Sequence, residues 1–176
     1  MSDVSIFSES IVDIMMEYFE VVIHQFLYYT TYYDSLTFDR TTKYGVTLYM
    51  NRVPEVILYV KELVKSVQPW MIRGEFRGLV VSIRTVEGKD VTSIVLCHSV
   101  SQLSNSSFID YKRLESSLRN SLFSLTSTLH GESLPSNATL SAEVVVMEDA
   151  SAPEIPGWNC CSSSPDPIPV LNHHPS

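Results

Sequence analysis

At 176 residues the chain has room for one domain with a substantial core and little room for a second. Apolar residues make up 44% and charged residues only 18%, so either much of the chain is buried or apolar surface is kept for partners. A net charge of −8 argues against nucleic acid as the main ligand, because phosphate recognition needs a Lys/Arg-rich footprint.

The first pattern, from Ser8 or Ser10 to about Tyr33, is helical. Ser10 is a candidate cap, with Asp13 three residues on as a weak capping box. Ile11, Ile14, Met15, Tyr18, Phe19, Val22, Ile23, Phe26 and Leu27 make it apolar nearly all round, which predicts a helix surrounded by other elements. Asp13, Glu17 and Glu20 mark its wet stripe; each acid would cost roughly 2.5–3.5 kcal/mol at mid-bilayer, so a buried helix is expected rather than a membrane span.

Leu36–Phe38 and Val46–Met50 then read as short strands, joined by turn residues Thr41–Gly45. Pro54 opens a second helix expected to reach about Val67, with Pro69 as its stop. Val56, Tyr59, Val60, Leu63, Val64 and Val67 form one face of it. Strands are expected over Phe76–Thr85 and Asp90–His98, joined by a tight turn through Gly88. A third helix is expected from about Phe108 to Leu129, with Gly131 as its C-terminal stop, and a further strand over Ala138–Met147.

From Ala150 the composition shifts: Pro153, Pro156, Pro165, Pro167, Pro169 and Pro175 fall in this last segment, without Lys or Arg. Such a stretch predicts neither a regular helix nor a central strand. Ile155, Trp158, Ile168, Val170 and Leu171 give it more apolar anchors than a purely solvating tail carries.

The three cysteines, Cys97, Cys160 and Cys161, make no even-numbered framework, and Asp3 and Glu9 stand where a secretory signal carries basic residues. A reducing compartment, nucleus or cytosol, is the expectation. Asn105-Ser-Ser and Asn137-Ala-Thr are then chance sequons. Cys160-Cys161 with His173-His174 invites a zinc reading, but adjacent ligands reach one ion poorly, so no metal and no other cofactor is expected. His24 reads as a hydrogen-bonded core histidine and Cys97 as inert. No glycine-rich phosphate loop, nucleophile elbow or His-Glu metal helix is present, so no catalytic residue is assigned and an enzyme is not expected.

Between residues 18 and 60 the order of residues is distinctive: Tyr18-Phe-Glu-Val-Val-Ile-His24, Leu27-Tyr-Tyr29, Tyr33, Phe38, Lys43-Tyr-Gly-Val46 and Pro54-Glu-Val-Ile-Leu-Tyr-Val60. With the later strand pair and helix, the chain resembles the HORMA-domain family from about Phe7 to Met147. Within it, the nearest branch is the one that holds the non-catalytic accessory subunit of translesion DNA polymerase zeta, also described as a spindle-checkpoint-like B protein and a shieldin component.

The resemblance implies an α+β fold, a single domain of three main helices packed on a central, mainly antiparallel sheet. Its core would be residues 1–149 and its safety belt, shortened or divergent, residues 150–176. It implies an adaptor that captures a short peptide as an added strand. The partner would be the catalytic subunit of polymerase zeta, or other repair or checkpoint proteins, with no direct nucleic acid, no membrane and a setting in the nucleus or also the cytoplasm. Alternatives are a spindle-checkpoint or meiotic adaptor, and a small enzyme with an unrecognised pocket.

Position by position, Tyr59 matches a family tyrosine against the captured peptide and Trp158 a clamping belt tryptophan. Cys160 stands where the family has a leucine. Glu115 and Arg119 match a Glu and an Arg on the face used for pairing of two HORMA domains; Ser124 replaces a lysine expected there. The prolines at 165, 167 and 169 occupy the place of a final strand that locks the belt, so the belt either closes by another route or the chain is a truncated or divergent form held open.

Overall fold

Three helices and two antiparallel sheets make up the computed structural model of the chain, which describes residues 9–97, 110–129, 133–147, 150, 158–161 and 170–173. The helices are α1 (Glu9–Tyr29), α2 (Pro54–Ile72) and α3 (Tyr111–Thr128). The strands are β1 (Phe38–Lys43), β2 (Val46–Asn51), β3 (Phe76–Arg84), β4 (Asp90–Leu96), β5 (Thr139–Val146), β6 (Trp158–Cys161) and β7 (Val170–His173). This is the α+β class expected. Chain contacts divide the residues into two units, one of Met1–Met16, Glu62–His98 and Pro135–Ser176, the other of Glu17–Lys61 and Ser99–Leu134.

The first unit is built on a five-stranded sheet ordered β4-β3-β5-β7-β6, antiparallel throughout. Alternation along β3 sends Leu79, Val81 and Ile83 into the core, and their neighbours Val144 and Ala142 on β5 follow them. Leu63, Val64, Val67, Trp70 and Met71 from the end of α2 are buried in the same unit. At the far end of β3, Arg84 joins three strands. It pairs with Asp90 of β4 at 2.6 Å and with Glu143 of β5, and donates to the Ser141 hydroxyl at 3.0 Å.

The second unit holds the β1–β2 hairpin, most of α1, the start of α2, and α3. The hairpin closes through a two-residue turn, Tyr44-Gly45, with φ of 52° and 72°, the doubly left-handed turn that matches strand twist. Phe19, Ile23, Phe26, Leu27, Leu48, Val60 and Leu122 are fully buried here.

Several boundaries differ from the sequence expectations. Helix α1 stops at Tyr29, not Tyr33, and Ser10 lies within it rather than capping it. Its stop is a Schellman motif without glycine: Thr31 sits at φ 55°, the Thr31 N–H donates to the Tyr28 carbonyl, and the Tyr32 N–H reaches back to Leu27. Leu36, expected in a strand, lies in a 3-10 turn over Ser35–Thr37 and is 75% exposed. Pro69 does not end α2. The ring removes one donor, but buried Trp70 and Met71 hold the next turn in the core. Gly74 at φ 71° makes the stop, its N–H donating to Met71 and that of Glu75 to Trp70.

Helix α3 begins at Tyr111, capped by Asp110, whose carboxylate accepts from the Lys112 and Arg113 N–H groups. The expected start at Phe108 and the stop at Gly131 lie outside the described residues. The turn through Gly88, at φ 80°, is as expected, and the strands on either side of it start where expected but end at Arg84 and Leu96; His98 lies outside the described residues.

The C-terminal segment corrects the expectation that it forms no central strand. Strand β7 lies between β5 and β6 and pairs Ala142–Val145 with His173–Val170. The two strands use proline-free tetrapeptides, Trp158-Asn-Cys-Cys161 and Val170-Leu-Asn-His173, so no ladder donor is missing within them. Pro165 and Pro167 lie outside the described residues, as does Pro169.

Candidate functional site

Tyr59, on the second turn of α2, is half-buried. Burial, with Tyr33 and Tyr32 adding to it, pushes its phenol up to about 12, so it stays a neutral hydroxyl at physiological pH. The Tyr32 and Tyr33 rings stand perpendicular with centroids 4.9 Å apart. They are half-buried themselves, and burial raises Tyr33. The surroundings of Tyr59 are therefore a group of three tyrosines supplied by α2 and the segment after α1. Treating Tyr32 and Tyr33 as helix residues hid this group; the left-handed Thr31, which turns the chain there, has no sequence signature because a glycine is the usual occupant.

A second aromatic group sits on the hairpin. Tyr28 and Tyr49 stack with centroids 3.9 Å apart and planes 8° from parallel, and Phe38 and Tyr29 meet Tyr28 edge-on at 5.2 and 5.1 Å. Its backbone is fixed by α1. The Gln25 amide donates to the Tyr49 carbonyl at 2.8 Å and accepts the Tyr49 N–H at 3.0 Å, and His24 Nδ1 accepts the Asn51 N–H at 3.3 Å. Two side chains of a helix thus fill the hydrogen-bonding positions that another strand would take on the outer edge of β2. Burial, with Lys61 adding to it, holds the His24 imidazole down at about 4, the neutral form that accepting at Nδ1 requires. The core-histidine reading of His24 is what the geometry shows.

Trp158 and Cys160 belong to β6. Their backbones lie opposite His173 and Leu171 of β7; their side chains fall outside what the structure describes. Tyr59 belongs to the second unit and both belt residues to the first. Glu115 and Arg119 share one side of α3, linked at 3.4 Å as an i,i+4 pair. The better bond of Arg119 is elsewhere: its Nε–H donates to the Tyr44 carbonyl at 2.7 Å. Cys97 is exposed at the end of β4. Among the described residues no three His, Cys, Asp or Glu side chains gather to hold a metal ion, and no helix is long and apolar enough to cross a membrane. What these parts offer chemically is main-chain pairing along the five-stranded sheet in the first unit and, in the second, two groups of tyrosines.

No family model matches the chain. It is similar to the mitotic spindle assembly checkpoint protein MAD2A of Mus musculus, 35% identical over 79 residues, 45% of this chain and 38% of that protein. It is also similar to MAD2B of Danio rerio, 32% identical over 89 residues, 51% of this chain and 42% of that protein. The match spans about two fifths of the length of these curated relatives. Among solved structures, a chain of a mitotic checkpoint complex superposes with a TM-score of 0.70 at 18% identity, over 93% of this chain and 96% of that one. HTP-2 of C. elegans bound to a HIM-3 closure motif superposes with a TM-score of 0.67 at 11% identity, over 92% and 88%. At such identities the superpositions establish the fold.

Proposed function

We propose that this chain, a HORMA-domain protein by its fold and its relatives, works as an adaptor that captures a short extended peptide of a partner protein. The observation that carries the reading is the C-terminal hairpin: β7 adds to the sheet at β5 by antiparallel main-chain pairing, and β6 follows it. A segment held by backbone pairing at one side of a sheet can be exchanged for, or folded over, another extended chain of suitable side chains. Residues 1–149 are the core in this reading, and 150–176 the safety belt. Tyr59 contributes a neutral, half-buried phenol to the peptide, Trp158 a clamp, and Cys160 a small contact that leaves room for a bulkier peptide side chain. Glu115 and Arg119 would serve pairing with a second HORMA domain.

The partner we favour is a proline-containing segment of the catalytic subunit of translesion DNA polymerase zeta, in the nucleus, during tolerance and repair of DNA damage. Its support is the similarity to MAD2B and the matching positions Tyr59 and Trp158. A checkpoint or meiotic partner is the second reading, favoured by the similarity to MAD2A and by the HTP-2 structure whose ligand is a closure motif. The deciding experiment is fluorescence anisotropy with labelled peptides from the polymerase subunit and from checkpoint partners. Slow dissociation of the polymerase peptide, abolished by Trp158→Ala and weakened by Tyr59→Ala, supports the first. Binding of checkpoint peptides alone moves the chain to the second, and failure of every peptide overturns both.

A further inference from the structure

Arg119 meets the β1–β2 turn in a way that pairing of two domains does not require. Its Nε–H donates to the Tyr44 carbonyl at 2.7 Å, across 75 positions of sequence. A Cβ built on Gly45 would stand 3.4 Å from Nε and 3.5 Å from Cζ and Nη2, so the guanidinium lies against the bare backbone of the turn. Tyr44 and Gly45 both hold positive φ, and a non-glycine residue at φ 52° needs outside support. The support comes from two more directions. The Tyr18 ring of α1 meets Tyr44 edge-on at 6.4 Å, and Glu17 of α1 pairs with Lys43, one residue before the turn. On α3, Glu115 holds the same guanidinium from the solvent side at 3.4 Å, a looser contact than that to the carbonyl.

We propose that Arg119 is a latch shared between α3 and the hairpin turn, so that a carboxylate brought to the exposed side of α3 draws the guanidinium off the Tyr44 carbonyl and loosens β1–β2. The latch goes beyond peptide capture and stands whether or not that capture occurs. A guanidinium carries its five donors within one plane, along more than one edge, and a carboxylate is a stronger acceptor than a backbone carbonyl. The occupant that releases the latch is therefore an acidic side chain. Glu115 alone does not release it, because at 3.4 Å it reaches only a terminal nitrogen and leaves Nε on the Tyr44 carbonyl; release needs a second carboxylate beside it.

Hydrogen–deuterium exchange of the whole chain, followed over residues 38–51, reads the latch. Arg119→Ala should raise exchange there by about tenfold, the loss of a charge-assisted bond, while α3 keeps its own protection. Arg119→Lys keeps the charge but not the planar fork, and should fall between wild type and Arg119→Ala. Ser116→Glu places a carboxylate one turn before Arg119, on a position that is exposed and bonds only its own helix. It should raise hairpin exchange about twofold over Ser116→Ala, and should do nothing in the Arg119→Ala background. Hairpin exchange unchanged in Arg119→Ala overturns the latch, and so does a Ser116→Glu effect that survives the loss of Arg119. If Arg119→Ala fails to fold, Arg119→Lys and Ser116→Glu decide alone.

Discussion

The Gln25 side chain spans the Tyr49 peptide group, donating to its carbonyl at 2.8 Å and accepting its N–H at 3.0 Å. Gln25 is fully buried, so water does not stand in for it. Gln25→Leu should therefore leave one donor and one acceptor unpaired in the core, at a cost of about 2–5 kcal/mol. Gln25→Glu keeps the acceptor, loses the donor and adds a buried charge, and should be no better. Urea unfolding checks both; a loss under 1 kcal/mol for Gln25→Leu would show that the edge of β2 finds another partner.

His24 gives the fold a defined acid sensitivity. The unfolded imidazole takes its proton near 6.5, whereas in the fold burial and Lys61 delay this to about 4. Between those values the unfolded state binds more protons, so stability is full above about pH 6.5 and falls as the pH drops towards 4. The separation corresponds to about 3 kcal/mol at pH 4. Carboxylates titrate in the same range, so the measurement is the difference between wild type and His24→Gln, whose amide is always neutral. The variant should lose the part of the slope that lies between pH 6.5 and pH 4.

Thr31 ends α1 in the left-handed region, which a β-branched residue occupies at a cost. Thr31→Gly should raise stability by about 1 kcal/mol, because relief of that strain exceeds the added freedom of the unfolded chain. Gly74→Ala is the mirror experiment at the end of α2 and should lower stability by about 1–2 kcal/mol. Thermal melts of the two variants should move in opposite directions.

Arg84 bonds Asp90, Glu143 and Ser141 across β4, β3 and β5, and burial of the cluster is partial. Arg84→Met retains the aliphatic packing and strands two carboxylates. Solvent takes up part of that loss, so a cost of about 1–2 kcal/mol is expected. Most of it should vanish in the Arg84→Met, Glu143→Gln double variant, which urea unfolding would show.

Period and turn chemistry made most of this fold legible in advance. The strands at Phe76–Arg84 and Asp90–Leu96 follow from β-branched runs on either side of Gly88, and of the face Val56, Tyr59, Val60, Leu63, Val64, Val67 all but the half-buried Tyr59 are buried. The misjudged boundaries share one cause: tertiary burial outweighed a local rule. Pro69 is carried inside α2 by Trp70 and Met71, and Thr31 accepts a glycine's conformation at the end of α1. Strands β6 and β7 were hidden by the prolines around them, since a four-residue strand is too short to show a period. Of the candidate site, residue order pointed to Tyr59, whereas its neighbours Tyr32 and Tyr33 and the grip of Arg119 on Tyr44 depend on contacts that span the chain.

Strand β4 closes the five-stranded sheet on one side, and among the described residues nothing pairs with its outer edge. Asp90-Val-Thr-Ser-Ile-Val-Leu96 contains no proline and no basic residue, and Val95 is 62% exposed. The edge of β1, by contrast, carries Asp39, Arg40 and Lys43. In concentrated solution the protein should therefore begin to self-associate at β4, and a thioflavin-positive aggregate should form there before it forms anywhere else. Ser93→Lys, on an exposed position in the middle of that strand, should lengthen the lag before turbidity appears without lowering the melting temperature.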